Sequence, residues 1–120
     1  MNYKPIIIVA GEPNSIFFEI FFKSLRSKSF LSPLILICDK KNLIKEIKKH
    51  KFNYVIEQIK LDNINSKKFH RNKIYLSHVE YQNSYIYVHN CFKVAFKLIK
   101  EGLTHKMING PINKLSLIHI

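Results

Sequence analysis

Cysteine is scarce in this chain: Cys38 and Cys91 are the only two. Two thiols far apart in sequence make neither a zinc site nor a disulfide framework. Both read as reduced packing residues. Long hydrophobic runs are missing too. The longest candidate, Ile16 to Phe22, is interrupted by Glu19, and a membrane helix needs roughly 20 apolar residues. The aliphatic run after the N-terminus does not read as a secretory leader, because Gly11-Glu12-Pro13-Asn14 follows where an apolar region should continue. A cytoplasmic setting without a membrane partner is the expectation. Arginine is nearly absent: of 20 basic residues only Arg26 and Arg71 are arginine. A formal net charge of +12 would by itself suggest a nucleic-acid partner. Bidentate recognition of phosphates and bases favours arginine, and the lysines here are scattered rather than gathered in one stripe. Lysine, asparagine and isoleucine share AT-rich codons, so the charge reads as compositional bias and nucleic-acid binding as the least favoured reading.

Other absences narrow the chemistry. The sequence has no Gly-x-Gly-x-x-Gly and no Walker loop, so a standard nucleotide motif is lacking. It has no Gly-x-Ser-x-Gly nucleophile setting. The six histidines, His50, His70, His78, His89, His105 and His119, never fall at a metal-ligand spacing such as His-Glu-x-x-His. Each reads as a surface or packing residue. Internal repeats, low-complexity tracts and interdomain linkers are also missing.

What is present suits one small globular domain of 120 residues, 47% hydrophobic. Ile6-Ile7-Ile8-Val9 and Leu34-Ile35-Leu36-Ile37-Cys38 are continuous apolar runs, expected of strands buried on both faces of a parallel sheet. A helix is expected from Ile16 to Arg26, with Ser15 as its cap. It is apolar nearly all round and is expected to be buried on more than one side. Asp39 can cap a second helix from Asn42 to about His50, with Leu43, Ile44 and Ile47 as its stripe. Tyr54 to Ile59 reads as a short strand, Lys60 to Asn72 as a polar loop, and Ile74 to Val79 as a weaker strand near a sheet edge. Ser84 to Lys100 is the best helix, with Tyr85, Val88, Phe92, Ala95 and Ile99 as its buried face. Gly102 is its left-handed cap, and Lys106 to Ile108 is a last strand. This order gives an α/β fold: an open, mostly parallel sheet with helices on both faces.

Ligands of such sheets bind beyond the carboxyl ends of the strands. Two loops qualify, Gly11 to Ser15 and Asn109 to Lys114. Both place Gly and Pro directly after a strand, where the backbone can turn and approach a ligand. The first also opens a helix, whose N-terminus favours anions. Lys114 offers a point charge for a phosphate. Gly11, Glu12, Asn14, Gly110 and Lys114 are the candidate substrate- or phosphate-binding residues. By position alone these loops read more readily as ordinary strand-to-helix turns with a solvated lysine, which are common in any α/β domain.

Taken together, the two loops carry a family resemblance. Ile7-Ile8-Val9-Ala10-Gly11-Glu12-Pro13-Asn14-Ser15-Ile16, with Glu19 just after, resembles the opening of the 4-hydroxythreonine-4-phosphate dehydrogenases. Gly110-Pro111-Ile112-Asn113-Lys114 resembles a second family segment at the family's spacing. Ser15, Phe17 and Phe18 stand where the family has Gly, Gly and Pro, and Asn109 where it has Thr or another small residue. The resemblance implies a partial isocitrate/isopropylmalate dehydrogenase-like fold. It also implies NAD-dependent oxidation, with decarboxylation, of a phosphorylated hydroxythreonine on the path to pyridoxal phosphate. A divalent metal ion and a homodimer at full length come with it. The family's metal-binding histidines lie downstream of the second segment, so no catalytic or metal-binding residue is carried over. Residues 1–114 are then expected to be the N-terminal portion of a longer enzyme, inactive alone. Leu115-Ser116-Leu117-Ile118-His119-Ile120 matches what a transposon-end sequencing adapter encodes in one frame, so 115–120 is expected to be a non-native tail. The alternative is a stand-alone α/β module that binds an anionic small molecule or partner through the same loops.

Overall fold

A computed structural model describes residues 4–13, 15–27, 32–53, 55–62, 64 and 67–110. Pro5 and the aliphatic run after it start β1, Ile6–Val9. Helix α1, Phe17–Ser27, returns the chain to β2, Leu34–Cys38. Helix α2, Lys40–His50, begins two residues earlier than expected, because the Asp39 carboxylate accepts from the N–H groups of both Lys41 and Asn42. Strands β3, Ile56–Gln58, and β4, Ile74–His78, follow. Helix α3, Ser84–Lys100, has the expected bounds, and β5, Met107–Asn109, starts one residue late. Strand β3 is shorter than expected, and Tyr54 lies outside the described residues.

The five strands pair in the order β3-β4-β2-β1-β5, every pair parallel. From β1 the chain steps outward to β2 and on to β3, then returns inward to β4 and crosses to β5 on the far side of β1. Right-handed crossovers put outward and returning connections on opposite faces of the sheet. Accordingly α1 and α2 cover one face, packing Phe18, Phe22 and Leu43 against Ile8, Leu36 and Leu76. Helix α3 covers the other, packing Tyr87, Cys91, Ala95 and Leu98 against Ile7, Val9, Ile35 and Ile37. The β3-to-β4 connection also runs on the α3 face. It lacks a described helix, yet it buries Ile59 and Ile64 and packs Leu61 and Phe69 there.

Three expectations are corrected. Strand β4 is interior, between β3 and β2, with Ile74 to Ser77 all buried. Its polar-looking residues are accommodated: the Tyr75 hydroxyl accepts from the His70 N–H at 2.8 Å. Helix α1 buries one side only. Phe17, Phe18, Phe21, Phe22 and Leu25 face the sheet, while Ile20, and Ile16 just before the helix, are 53% and 61% exposed. The buried side of α3 is Tyr87, Val88, Cys91, Ala95 and Leu98, and Tyr85 faces outward. Sequence periodicity allowed either stripe. The Tyr87 hydroxyl, which needs a polar partner at the sheet end, selects the observed one.

Candidate functional site

The crossover through α3 places β5 on the far side of β1 from β2, so the carboxyl ends of β1 and β5 lie side by side, where ligands of such sheets bind. Both exits are glycines. Gly11 has φ +83°, a left-handed conformation that costs residues with a Cβ. The Gly110 N–H donates to the Val9 carbonyl at 2.7 Å. A Cβ on Gly110 would lie 2.2 Å from the Ala10 oxygen and 2.7 Å from a Phe17 ring carbon. Two strand ends and the first residue of α1 therefore meet where no side chain fits. The two loops singled out in the sequence are brought together here through Gly11 and Gly110. Asn14, Lys114 and the rest of the second segment, Pro111 to Asn113, lie outside the described residues.

Beyond Gly11 the loop is tightened by the Ser15 N–H on the Glu12 carbonyl at 3.2 Å, and the Phe17 N–H donates to the Ser15 hydroxyl at 3.3 Å. The cap expected of Ser15 is thus made. The Glu12 carboxylate accepts from the Ser84 hydroxyl, with oxygen distances of 2.7 and 2.6 Å. Ser84 is the first residue of α3, whose Asn83 cap accepts from the Ile86 N–H at 3.0 Å. Glu12 therefore pins the opening of α3 to the β1 exit.

The same rim continues over β2 and β4. One Asp39 oxygen accepts from the N–H groups of Lys41 and Asn42, at 2.8 and 3.2 Å, and the other from the Tyr81 N–H at 2.7 Å. The Asp39 N–H donates to the Tyr87 hydroxyl at 2.9 Å. Burial alone would raise the Asp39 pKa. The three backbone N–H groups, with nearby His78, outweigh that and hold it below its ordinary value. Next to it the Lys40 N–H donates to Nδ1 of His78 at 2.9 Å. The carboxyl edge is thus a hydrogen-bonded shelf running from Glu12 through Ser84 and Asp39 to His78. Sequence reasoning found the cap role of Asp39 but missed the rim role of Ser84, Tyr81 and His78. The available signal was position, since each sits within a few residues of a strand's carboxyl end or a helix start.

The thiols are unsuited to nucleophilic work. Burial raises the Cys38 pKa well above its ordinary value and pushes Cys91 up to about 12. Both are fully packed, as expected of them. Beside the shelf a cavity of about 290 Å³ lies between α1 and α2, lined by Ser15 and by charges of both signs, including Glu19, Glu46, Lys45 and Lys49. Mixed charge of that kind does not select an anion. Among the described residues no group of three His, Cys, Asp or Glu side chains could hold a metal ion. A divalent metal does not fit the described residues by themselves. None of the described helices is long and apolar enough to cross a membrane.

No protein-family model matches the chain, and no curated protein matches it in sequence. Solved structures do. A Salmonella typhimurium protein described as a 4-hydroxythreonine-4-phosphate dehydrogenase aligns over 97% of this chain, at 21% identity and a TM-score of 0.77. The 4-hydroxythreonine-4-phosphate dehydrogenase of Burkholderia phymatum aligns over 98% at 17% identity and a TM-score of 0.74. That of Klebsiella pneumoniae aligns over 97% at 19% identity and 0.74. The chain spans 40%, 39% and 39% of those three chains respectively. Over the aligned residues, then, this chain has the α/β fold of those three 4-hydroxythreonine-4-phosphate dehydrogenases and spans about two fifths of their length.

Proposed function

We propose that this chain is the N-terminal α/β portion of an NAD-dependent oxidoreductase acting on phosphorylated hydroxythreonine in pyridoxal phosphate synthesis. The observation that carries the reading is the meeting of Gly11 and Gly110 at the β1 and β5 exits, within a fold shared with dehydrogenases of that name. In this reading the Gly11 loop, with Asn14, and the Gly110 loop, with Lys114, form the floor on which the phosphorylated substrate rests. Glu12 orients the start of α3 beside it. Small residues at both exits let ligand atoms approach backbone N–H groups closely. The metal ligands come from sequence outside the described residues, and the chain by itself does not turn over substrate. Residues 1–114 belong to a longer cytoplasmic enzyme that works as a homodimer, and 115–120 are foreign to it.

The test is NADH formation from 4-hydroxythreonine phosphate with added divalent metal. The 120-residue chain should be inactive, and the product of the longer reading frame recovered from source DNA should be active. A genuine stop codon after Ile120 in clean genomic sequence would remove the fragment reading. A longer product that binds the substrate but never reduces NAD would remove the dehydrogenase reading. Cooperative unfolding of the 120-residue chain together with anion binding would then favour a stand-alone binding module.

A further inference from the structure

Among the described residues the shelf holds an imidazole whose donor is not used up. Asp39 is consumed by three backbone N–H groups, and the Glu12 carboxylate holds Ser84. His78 is different. It is the last residue of β4, in register with Cys38 at the end of β2, and it is exposed. Its Nδ1 accepts from the Lys40 N–H, the first residue of α2. A backbone N–H can only donate, so in the neutral ring Nδ1 carries the lone pair and Nε2 carries the proton. Among the described residues Nε2–H has no protein partner. A helix-start N–H thus fixes the tautomer and orients an unspent donor at the strand end. A histidine held at a helix N-terminus so that its neutral ring donates to a ligand oxygen is a known chemical device.

We infer that His78 is a ligand-binding residue of this rim, its Nε2–H donating to an anionic oxygen of a molecule that rests beside Gly11 and Gly110. Two strand spacings separate β4 from β1, about 10 Å, the length of a small extended phosphorylated ligand. The inference deepens the proposed function and rests on its placing of the ligand at the carboxyl rim. Its test requires neither NAD nor turnover.

Histidine ¹⁵N spectra of the 120-residue chain should show His78 with Nδ1 bare and Nε2 protonated; the opposite tautomer overturns the inference. Inorganic phosphate serves as the probe ligand. In His78→Asn the amide oxygen can still accept from the Lys40 N–H, so α2 stays capped while the outer donor is lost. Phosphate should bind about tenfold more weakly. In His78→Gln the outer donor is retained and the inner acceptor lost, so phosphate binding should be largely kept while α2 frays. Equal phosphate affinity in His78→Asn and the parent chain, or no phosphate binding by the parent, overturns the inference. If instead these variants behave as expected while the longer protein fails to reduce NAD, the dehydrogenase reading falls and the role of His78 stands.

Discussion

A methyl group at Gly110 would sit 2.2 Å from the Ala10 carbonyl oxygen, closer than any real side chain tolerates. Gly110→Ala should therefore push apart the β1 and β5 exits and destabilise the fold by about 1–3 kcal/mol, read as a lower urea midpoint. Gly102→Ala is the control. Gly102 has a left-handed φ of +83°, which Gly110 does not, and nothing lies within 4 Å of its missing Cβ. It should cost only the backbone strain, about 1 kcal/mol. Equal losses in the two variants would mean that packing at Gly110 is not special. Sequence alone marked Gly110 as a turn residue. That its lack of a side chain is required by Ala10 and Phe17 is a fact of three segments meeting in space. The cysteines show the reverse. Their burial was legible from residue type, and the raised pKa values of Cys38 and Cys91 follow from it. Thiol reagents should reach them only on unfolding; modification of the native chain at free-thiol rates would contradict this.

Helices α2 and α3 are tied at their starts to the same residue. Asp39 caps α2, receives the Tyr81 N–H from the loop before α3, and donates its own N–H to Tyr87 inside α3. Tyr87→Phe removes one hydrogen bond and should cost about 1 kcal/mol. Asp39→Ala removes the cap and the loop tie together and should cost more, about 2 kcal/mol. A smaller loss for Asp39→Ala than for Tyr87→Phe would show that the ties are not shared as drawn. The acid response follows from two carboxylates. Ion-paired hydrogen bonds from Lys67 and Lys73 pull Glu57 from 4.5 to about 2. Depressed folded pKa values mean that both contributions are complete above the ordinary values, 3.8 for Asp39 and 4.5 for Glu57. They are lost as pH falls through the lower folded values. Stability should decline below pH 4.5, and Glu57→Gln should flatten part of that decline, as followed by urea midpoints across acidic pH. An unchanged slope in Glu57→Gln would remove the cluster from the account. The bounds of α3 were legible because its Ser84 start and Gly102 end carry local signals. The orientation of its stripe was not, because the choice between Tyr85 and Tyr87 as the buried residue is made by Asp39, 48 positions away from Tyr87.

For the whole molecule the edges of the sheet decide behaviour. The radius of gyration, 13.8 Å, is what one compact domain of this length has, about 13.6 Å. Among the described residues β5 is a sheet edge, and Ile108 pairs with Ile8 in register, so it lies on the face that α1 and α2 cover elsewhere. There it is 57% exposed. An apolar residue on an unpaired edge strand promotes association between chains. Ile108→Lys should lower hydrophobic-dye binding and self-association in sedimentation runs, with less than about 0.5 kcal/mol change in stability. Unaltered association would place the sticky surface elsewhere. The sequence by itself determined the α/β class, the succession of elements, the caps at Asp39 and Gly102, and the two loops at strand ends. Each of these is written in local periodicity and turn chemistry. Only the tertiary structure decided that β4 is interior, that α1 leaves Ile16 and Ile20 in solvent, and that Gly11 meets Gly110. It alone joined Glu12, Ser84, Asp39 and His78 into one rim. Those facts depend on the order in which strands assemble. That order is set by right-handed crossovers and by long-range burial, which no local window of sequence contains.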